Sequence, residues 1–295
     1  MAESAFKRAL LFVNPHKSAA KEAAGEIQRE LTRKGFAVTS YPFDAPGAFD
    51  RGKRFDIAFS LGGDGTVLFA SRLIAPLRIP LIPINFGAMG FIAEVPPSEW
   101  AGVFERWLQG SAVISRRLML ELTVERQGKI LFQASCLNDA VISASGIAKL
   151  IVLNVELERG ETTIHLGHYR SDGLIVATPT GSTAYSVAAG GPILDPEIEA
   201  VIINPICPFT LSNRPVVMPL LDTVLVEVEA EQRSGVLLTL DGQVTEALEP
   251  ADRIRLYRAP YEALLVASDR QAFYRALHMK LNWPGKKLSG EDIHA

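Results

Sequence analysis

The first third of the chain alternates strand-like and helix-like segments, and this order constrains the fold more than any other feature. Short apolar runs at residues 9–13, 55–61 and 79–85 are typical of buried strands. Segments with apolar residues at helical spacing, 17–31 and 66–74, lie between them. A strand–helix–strand order predicts a parallel sheet covered by helices, which is a Rossmann-like α/β domain.

After about residue 112 the apolar residues recur with a period of two. Leu153 and Val155 alternate with polar neighbours, and Val224 and Val226 do the same. Several such strands separated by turn residues predict an antiparallel, sandwich-like domain. A final helical segment at 269–283 is expected to return to the first domain. The predicted division is an α/β domain of residues 1–111 plus 268–295, and a β-rich domain of residues 112–267.

Composition excludes several classes of protein. The 295 residues are 48% hydrophobic and 21% charged, with a formal net charge of −3, so the chain is neither disordered nor basic enough for nonspecific binding to nucleic acid or membranes. Cys136 and Cys207 are too few for a disulfide framework. The first apolar run is shorter than a signal-peptide core, and none reaches the length of a membrane span. These features predict a cytoplasmic protein without nucleic-acid or membrane partners.

The strongest local motif is Gly62-Gly63-Asp64-Gly65-Thr66, at a predicted strand-to-helix junction. Glycines let a ligand approach the backbone closely, and a helix N-terminus preceded by free N–H groups is a natural phosphate site. A carboxylate at such a site would repel phosphate. Asp64 therefore suggests a proton acceptor for an attacking hydroxyl or a contact to phosphate-bound Mg²⁺. The alternative is a turn in which Asp64 only caps the next helix.

Two further polar clusters follow predicted strands. The run from Thr178 through Ser186 is rich in hydroxyl groups, which can bind sugar and phosphate oxygens or simply cap the following helix. Asn138 and Asp139 suit recognition of an adenine edge and a ribose hydroxyl, and an Asx turn is the alternative. His165 and His168 lie three residues apart in a predicted strand, so we expect their side chains on opposite faces, which argues against a metal pair.

Taken together, these segments resemble the NAD kinase family of bacterial type, from about residue 7 to residue 283. The hydroxyl-rich run is the most specific of them, whereas the glycine motif also occurs in lipid kinases. The residues that carry the resemblance are, in chain order, Asn14-Pro15, Gly62 through Thr66, Asn85-Phe86-Gly87-Ala88-Met89-Gly90-Phe91, Asn138-Asp139, Asp172-Gly173, Thr178 through Ser186, Ala189-Gly190-Gly191-Pro192 and Asp241-Gly242-Gln243.

The resemblance implies an α/β amino-terminal domain, a β-rich second domain that binds NAD, and an active site between them. It implies transfer of the γ-phosphoryl group of ATP to the 2′-hydroxyl of the adenosine ribose of NAD, which gives NADP. Mg²⁺ or Mn²⁺ is expected to accompany ATP, and homodimers or homotetramers are usual in the family.

The resemblance also implies roles for single residues. Asp64 corresponds to the proton acceptor, with Gly65 beside it, and the phosphate loop comprises Gly62, Gly63, Gly65 and Thr66. Lys149 corresponds to a basic position that can come from a neighbouring subunit, and Phe69 stands where some relatives carry a basic residue. The other implied substrate-binding positions are Asn138, Asp139, Arg170, Asp172, Thr183, Ala184, Tyr185, Ser186, Ala188 and Gln243.

Two other functions remain open from the sequence. A lipid kinase would share the glycine motif and a β-rich second domain, but it should have an apolar pocket and lack the run from Thr178 to Ser186. A dinucleotide sensor without activity could keep the same fold. Retention of Asp64 argues against the sensor, and a transfer assay with radiolabelled ATP would decide whether the chain is a sensor or an enzyme.

Overall fold

The computed structural model describes residues 7–43, 49–88, 90–146, 149–210, 213–267 and 270–281. The helices are α1 (Ser18–Arg33), α2 (Asp64–Ile74), α3 (Trp100–Leu108), α4 (Tyr185–Ala188) and α5 (Arg270–Leu281), with 3-10 turns at Ala75–Leu77 and Thr180–Thr183. The strands are β1 (Lys7–Val13), β2 (Phe36–Pro42), β3 (Ile57–Gly62), β4 (Leu81–Asn85), β5 (Ile114–Arg126), β6 (Lys129–Cys136), β7 (Asp139–Ala144), β8 (Ile151–Arg159), β9 (Thr162–Ser171), β10 (Gly173–Ala177), β11 (Ala200–Ile206), β12 (Val216–Pro219), β13 (Thr223–Val228), β14 (Val236–Leu240), β15 (Val244–Leu248) and β16 (Arg253–Val266).

The first third forms the expected parallel sheet. Its strands run in the order β2-β1-β3-β4, each parallel to its neighbour. Strands β1 and β3 are apolar runs because both of their faces are covered. Strand β2 was not predicted from the sequence, because its residues after Phe36 are exposed or half-buried and give it a weak pattern at the edge of the sheet. Because the strands are parallel, β1, β3 and β4 all end at one edge, which positions the candidate site.

The second part is a β-sandwich, as the period-two pattern predicts. One sheet has the order β12-β11-β10-β7-β14-β15, and all of its pairs are antiparallel. The facing strands β5, β8, β13 and β16 share one apolar core with it. The predicted fold class, an α/β part followed by a β-rich part, is therefore confirmed.

Strand β16 joins the two parts into one sheet. It pairs with β5 and β13 in the β-rich part, and near its end Leu265 pairs in parallel with Leu81 of β4. Among the described residues the resulting sheet has ten strands, and it crosses the predicted boundary. The division at residues 111/112 and 267/268 stays a proposal.

The last helix, α5, contacts the first part, as expected. The Phe273 ring lies 6.4 Å from that of Phe91, and the Lys280 ammonium lies 4.6 Å from the centre of the same Phe91 ring. The Tyr274 hydroxyl donates a 2.9 Å hydrogen bond to Asp195, so α5 also holds the β-rich part. The predicted limits of this helix, residues 269 and 283, lie outside the described residues.

The prediction that His165 and His168 face opposite sides is wrong. His165 pairs with Glu156 and His168 with Asn154, because a β-bulge interrupts the register between them. The extra residue places both histidines on the same exposed face of β9. Each lies near a glutamate, His165 at 3.9 Å from Glu156 and His168 at 3.8 Å from Glu229.

Within the described ranges, no helix combines the length and the apolar character needed to cross a membrane.

Candidate active site

The glycine motif forms the connection between β3 and α2 at the carboxyl edge of the parallel sheet. A methyl group on Gly62 would lie 2.0 Å from the hydroxyl oxygen of buried Thr66, so this position accepts only glycine. Gly63 is the N-cap of α2 and supplies no side-chain cap. Thr66 donates the first hydrogen bond of the helix, 2.9 Å to the Gly63 carbonyl. In the described part of the chain, the N–H groups of Asp64 and Gly65 therefore remain open to an anion.

Asp64 does not cap α2. Its carboxylate accepts hydrogen bonds from the backbone N–H groups of Phe91 (2.9 Å), Ala93 (2.9 Å) and Ile92 (3.3 Å). A methyl group on Gly90 would lie 1.8 Å from Oδ1, which explains the glycine there. Asp64 thus ties the glycine loop to the segment after β4. Its Oδ2 accepts only one of these bonds, so a lone pair remains for a substrate hydroxyl.

The segment that Asp64 holds begins with a turn after β4. The Phe86 N–H donates 2.6 Å to the Gly62 carbonyl, and the Asn85 side chain accepts from the Gly87 N–H at 2.9 Å. The described residues of the predicted motif from Asn85 to Phe91 are therefore held against the glycine loop at both ends, by Phe86 and by Phe91. Met89 of that motif lies outside the described residues.

A second cluster of predicted residues lies where β6 meets β7 and where β10 ends. Strands β7 and β10 pair antiparallel, with Asp139 opposite Ala177, so Asn138 comes beside Thr178. The Thr178 N–H donates 2.8 Å to the Asn138 carbonyl. A methyl group on Gly181 would lie 2.1 Å from that same carbonyl oxygen. The two polar motifs therefore meet at this end of the sheet.

Asp241, which was predicted only as part of the Asp241-Gly242-Gln243 motif and without a role of its own, is a buried carboxylate that organises this junction. Asp241 accepts the N–H groups of Asn138 (2.7 Å), Leu137 (3.1 Å) and Asp139 (3.4 Å) on Oδ1. Its Oδ2 pairs with the Arg72 guanidinium of α2 at 2.9 Å, and the Asp241 side chain is 0% exposed. Three adjacent backbone N–H groups therefore converge on one carboxylate. A negatively charged acceptor suits such a cluster of donors, because hydrogen bonds to an ionised group are the stronger ones.

The same arginine connects the junction to the glycine loop. Arg72 Nη2 donates 2.6 Å to the Gln243 side-chain oxygen, and the Gln243 amide donates 2.8 Å to the Gly65 carbonyl. A continuous chain of hydrogen bonds therefore runs from Gly65 through Gln243, Arg72 and Asp241 to Asn138. This chain fixes the predicted phosphate loop relative to the predicted adenosine pair.

Asn138 and Asp139 are buried, and their polar atoms are incompletely used. Asn138 Oδ1 has no hydrogen-bond partner among the described residues, which suits a position that binds a ligand donor. Burial, together with the charge of nearby Asp241, raises the pKa of Asp139 to about 7. Burial also raises the pKa of Asp241, against the opposing effects of Arg72 and the Asn138 and Leu137 N–H groups. At neutral pH Asp139 is thus divided between acid and carboxylate.

The hydroxyl-rich run separates into structural and exposed members. Ser182 donates 2.6 Å to the Pro179 carbonyl, and buried Ser186 is held through the amide of Asn204, which donates 2.9 Å to the Ser186 carbonyl. Thr183 and Ala184 are half-buried, whereas Tyr185 and Ala188 are exposed, Tyr185 by 48%. Tyr185, Thr183 and Ala184 are therefore the members accessible to a substrate, while Ser182 and Ser186 shape the loop.

Phe69 lies in an aromatic cluster. Its ring is 5.2 Å from Phe43, 6.0 Å from Phe12 and 6.2 Å from Tyr41. Apolar packing on the side of α2 that faces β1 and β2 accounts for a phenylalanine here.

Three predicted residues lie at the opposite end of the β-sandwich. Asp172 immediately precedes β10, whereas Thr178 follows it, and five residues of strand separate these ends by about 17 Å. Lys149 and Arg170 line a cavity of about 550 Å³ at that far end, together with His168 and Arg233. The Arg170 guanidinium stacks 4.9 Å from the Phe209 ring centre. The structure therefore does not bring Lys149, Arg170 and Asp172 to the Asp64 cluster of the same chain.

Comparison with known protein families gives two matches. Residues 47–112 match the ATP-NAD kinase N-terminal domain, and residues 137–268 match the ATP-NAD kinase C-terminal domain. The chain is 40% identical to the NAD kinase of Treponema denticola over 95% of its own length and 97% of that protein. It is also 40% identical to the NAD kinase of Geobacter sulfurreducens over 77% of its length and 78% of the relative.

Solved structures share the fold. Yeast NADH kinase complexed with NADH superposes with a TM-score of 0.83, at 24% identity, over 96% of this chain and 90% of that one. An NAD kinase from Archaeoglobus fulgidus in complex with ATP gives a TM-score of 0.71, at 23% identity, over 94% and 100% of the two chains. With both domain families matched in order, and relatives aligned over nearly the whole length, this chain belongs to the NAD kinase family.

Proposed function

We propose that this protein transfers the γ-phosphoryl group of ATP to the 2′-hydroxyl of the adenosine ribose of NAD and releases NADP and ADP. The observation that carries the proposal is the hydrogen-bond chain from Gly65 to Asn138. It connects a loop suited to phosphate with a buried pair suited to adenosine. Family membership agrees with this reaction.

Asp64 is the proposed general base. Phosphoryl transfer passes through a loose transition state, so positioning and charge neutralisation supply most of the rate. The three backbone N–H groups that bind Asp64 hold its carboxylate in one orientation. The unshared lone pair on Oδ2 then takes the proton of the 2′-hydroxyl as the oxygen attacks phosphorus. A positioned base contributes typically about 10²–10⁴-fold.

Asn138 and Asp139 are proposed to bind the adenosine part of NAD. The unpartnered Asn138 Oδ1 is an acceptor for the exocyclic amine of adenine. Asp139 lies next to it on β7 and is available to a second polar atom of the nucleoside. Tyr185, Thr183 and Ala184 are proposed to border the rest of the dinucleotide, and Gln243 to hold the Gly65 side of the site.

The divalent cation is proposed to arrive with ATP. No group of three or more histidine, cysteine, aspartate or glutamate side chains in the described ranges is arranged to hold a metal ion. Both Asp64 oxygens are already bound by backbone N–H groups. These residues fit an ion ligated mainly by phosphate oxygens and water, as is usual for Mg²⁺. Such an ion, Mg²⁺ or Mn²⁺, would neutralise charge on the triphosphate.

Lys149, Arg170 and Asp172 are proposed to serve the site of a neighbouring subunit in a homodimer or homotetramer. They lie too far from Asn138 to share one adenosine with it, since β10 separates them. Their cavity carries the basic side chains of Lys149, Arg170 and Arg233. In such an assembly, Asn138 and Asp139 of one copy would lie against the Lys149 and Arg170 cavity of the other. Both ends of the sandwich would then contribute to a binding site.

A coupled assay tests the proposed function. The purified chain is incubated with ATP, Mg²⁺ and NAD, and NADP is detected with an NADP-specific dehydrogenase. We expect NADP that depends on all three additions. ATP consumption without NADP, or phosphorylation of a lipid acceptor in its place, would contradict the assignment.

A further inference from the structure

The lysine that precedes α1 reaches the glycine loop. Lys17 Nζ donates a 3.2 Å hydrogen bond to the Phe86 carbonyl. A methyl group built on Gly87 would lie 2.5 Å from this ammonium, and one built on Gly63 would lie 3.5 Å from it. The ammonium therefore lies between the β3–α2 loop and the turn after β4, and its place depends on the missing side chain at Gly87.

This ammonium has unused binding capacity. An ammonium has three N–H donors, and the Phe86 carbonyl takes one. Within the described ranges Lys17 forms no ion pair, and the nearby Asp64 carboxylate is directed to the N–H groups of residues 91–93. Lys17 is only half-buried, so a ligand can reach it. A cation without a carboxylate partner beside a glycine loop attracts an anion.

Two helix N-termini add to the positive potential. Lys17 is itself the N-cap of α1, a helix of 16 residues, and it provides no side-chain cap. Gly63 is the N-cap of α2, a helix of 11 residues, and it also lacks one. The first N–H groups of both helices therefore have no acceptor within their own helix and can bind an anion. Each helix N-terminus also carries roughly half a positive charge.

From these observations we infer that Lys17 binds the terminal phosphate oxygens of ATP, across the groove from the N–H groups of Asp64 and Gly65. This inference rests on the proposed function, since it assigns a ligand to the phosphate side of the same site. Lys17 would neutralise charge on the group that is transferred, and it would keep the turn at Phe86 in contact with the triphosphate. It should have no direct effect on the adenosine of NAD, which is assigned to Asn138 and Asp139.

The test compares three single variants by titration calorimetry. Lys17→Met removes charge and donor, Lys17→Arg keeps both, and Lys21→Met removes an exposed lysine one turn further along α1. The probes are inorganic tripolyphosphate, Mg·ATP and NAD. Lys17→Met should weaken binding of tripolyphosphate and of Mg·ATP by roughly 10- to 100-fold, as expected for a hydrogen bond to a charged group. NAD affinity should stay within about twofold, Lys17→Arg should retain most of the phosphate affinity, and Lys21→Met should behave as wild type.

Three results would overturn the inference, the first two of them in the tripolyphosphate titrations. The first is wild-type affinity for tripolyphosphate in Lys17→Met, and the second is no tripolyphosphate binding by the wild type. The third is an equal loss of NAD and ATP affinity, which would make Lys17 only a clamp for the Phe86 carbonyl. The proposed function and this inference can fail separately. If the wild type forms no NADP but Lys17→Met still weakens tripolyphosphate binding, the proposed reaction is refuted and the phosphate site at Lys17 is supported.

Discussion

Replacing Asp139 by asparagine tests the electrostatics of the candidate adenosine pair. The pKa of Asp139 is about 7 in the folded protein instead of 3.8, because burial and the charge of Asp241 oppose ionisation. The folded state therefore holds this proton more tightly than the unfolded state does. Between these two pKa values the folded state binds more protons, so the free energy of unfolding falls as pH rises.

The size of the effect follows from the difference in pKa. Each pH unit corresponds to about 1.4 kcal/mol, so ionising Asp139 costs the folded state about 4 kcal/mol in full. Part of that cost is already present at pH 5. From about pH 5 to about pH 8 the wild type should lose about 3 kcal/mol relative to Asp139→Asn, which has no proton to lose.

Urea denaturation of both ligand-free proteins across this pH range measures the difference. We expect the two curves of unfolding free energy to diverge as pH rises, most steeply near about pH 5–6, and to run parallel again above about pH 8. Asp172→Asn, which removes a half-buried carboxylate at the other end of β10, controls for the loss of a carboxylate as such. Curves that remain parallel for Asp139→Asn would refute a raised pKa at this position.

Three further perturbations address the rest of the site. Asp64→Asn should lower kcat by at least about 100-fold with a folded protein by circular dichroism, and turnover near that of wild type would remove Asp64 from the mechanism. Arg72→Met leaves buried Asp241 without its guanidinium partner, so the free energy of unfolding measured in urea should fall by about 3 kcal/mol. Adding Asp241→Asn should recover part of this loss, whereas simple additivity of the two losses would show that the pair is not coupled. Gly181→Ala puts a methyl group 2.1 Å from the Asn138 carbonyl, which should cost about 1–3 kcal/mol of stability and raise KM for NAD more than KM for ATP; equal changes in both KM values would separate this turn from the adenosine pair.

Local patterns in the sequence predict the parts of the site that depend on neighbouring residues. The glycine loop lies at a strand-to-helix junction because an apolar run ends at Gly62 and helical spacing begins directly after it. Asn138 and Thr178 each follow a strand-like segment. Their meeting depends on the pairing of β7 with β10, which the sequence indicates only through the family resemblance.

Long-range contacts account for what the sequence did not reveal. Arg72 and Asp241 are 169 residues apart, and no periodicity relates them. Asp64 was expected to contact substrate or to cap α2, and the sequence did not reveal that its carboxylate also binds N–H groups 27 to 29 residues later. The bulge between His165 and His168 is set by the pairing of β9 with β8. The prediction assumed an unbroken alternation along the strand and therefore placed the two histidines on opposite faces.

Continuity of the β16 strand has a consequence for how substrates enter. One apolar cluster contains Phe12 and Leu68 of the α/β part together with Met119 and Leu265 of the strands that continue into the sandwich. Swinging the two parts apart as rigid bodies would expose this cluster to water and break the ladder at Leu265. We therefore expect nucleotides to enter and leave through movements of the loops at the strand ends, with the framework between the two parts unchanged.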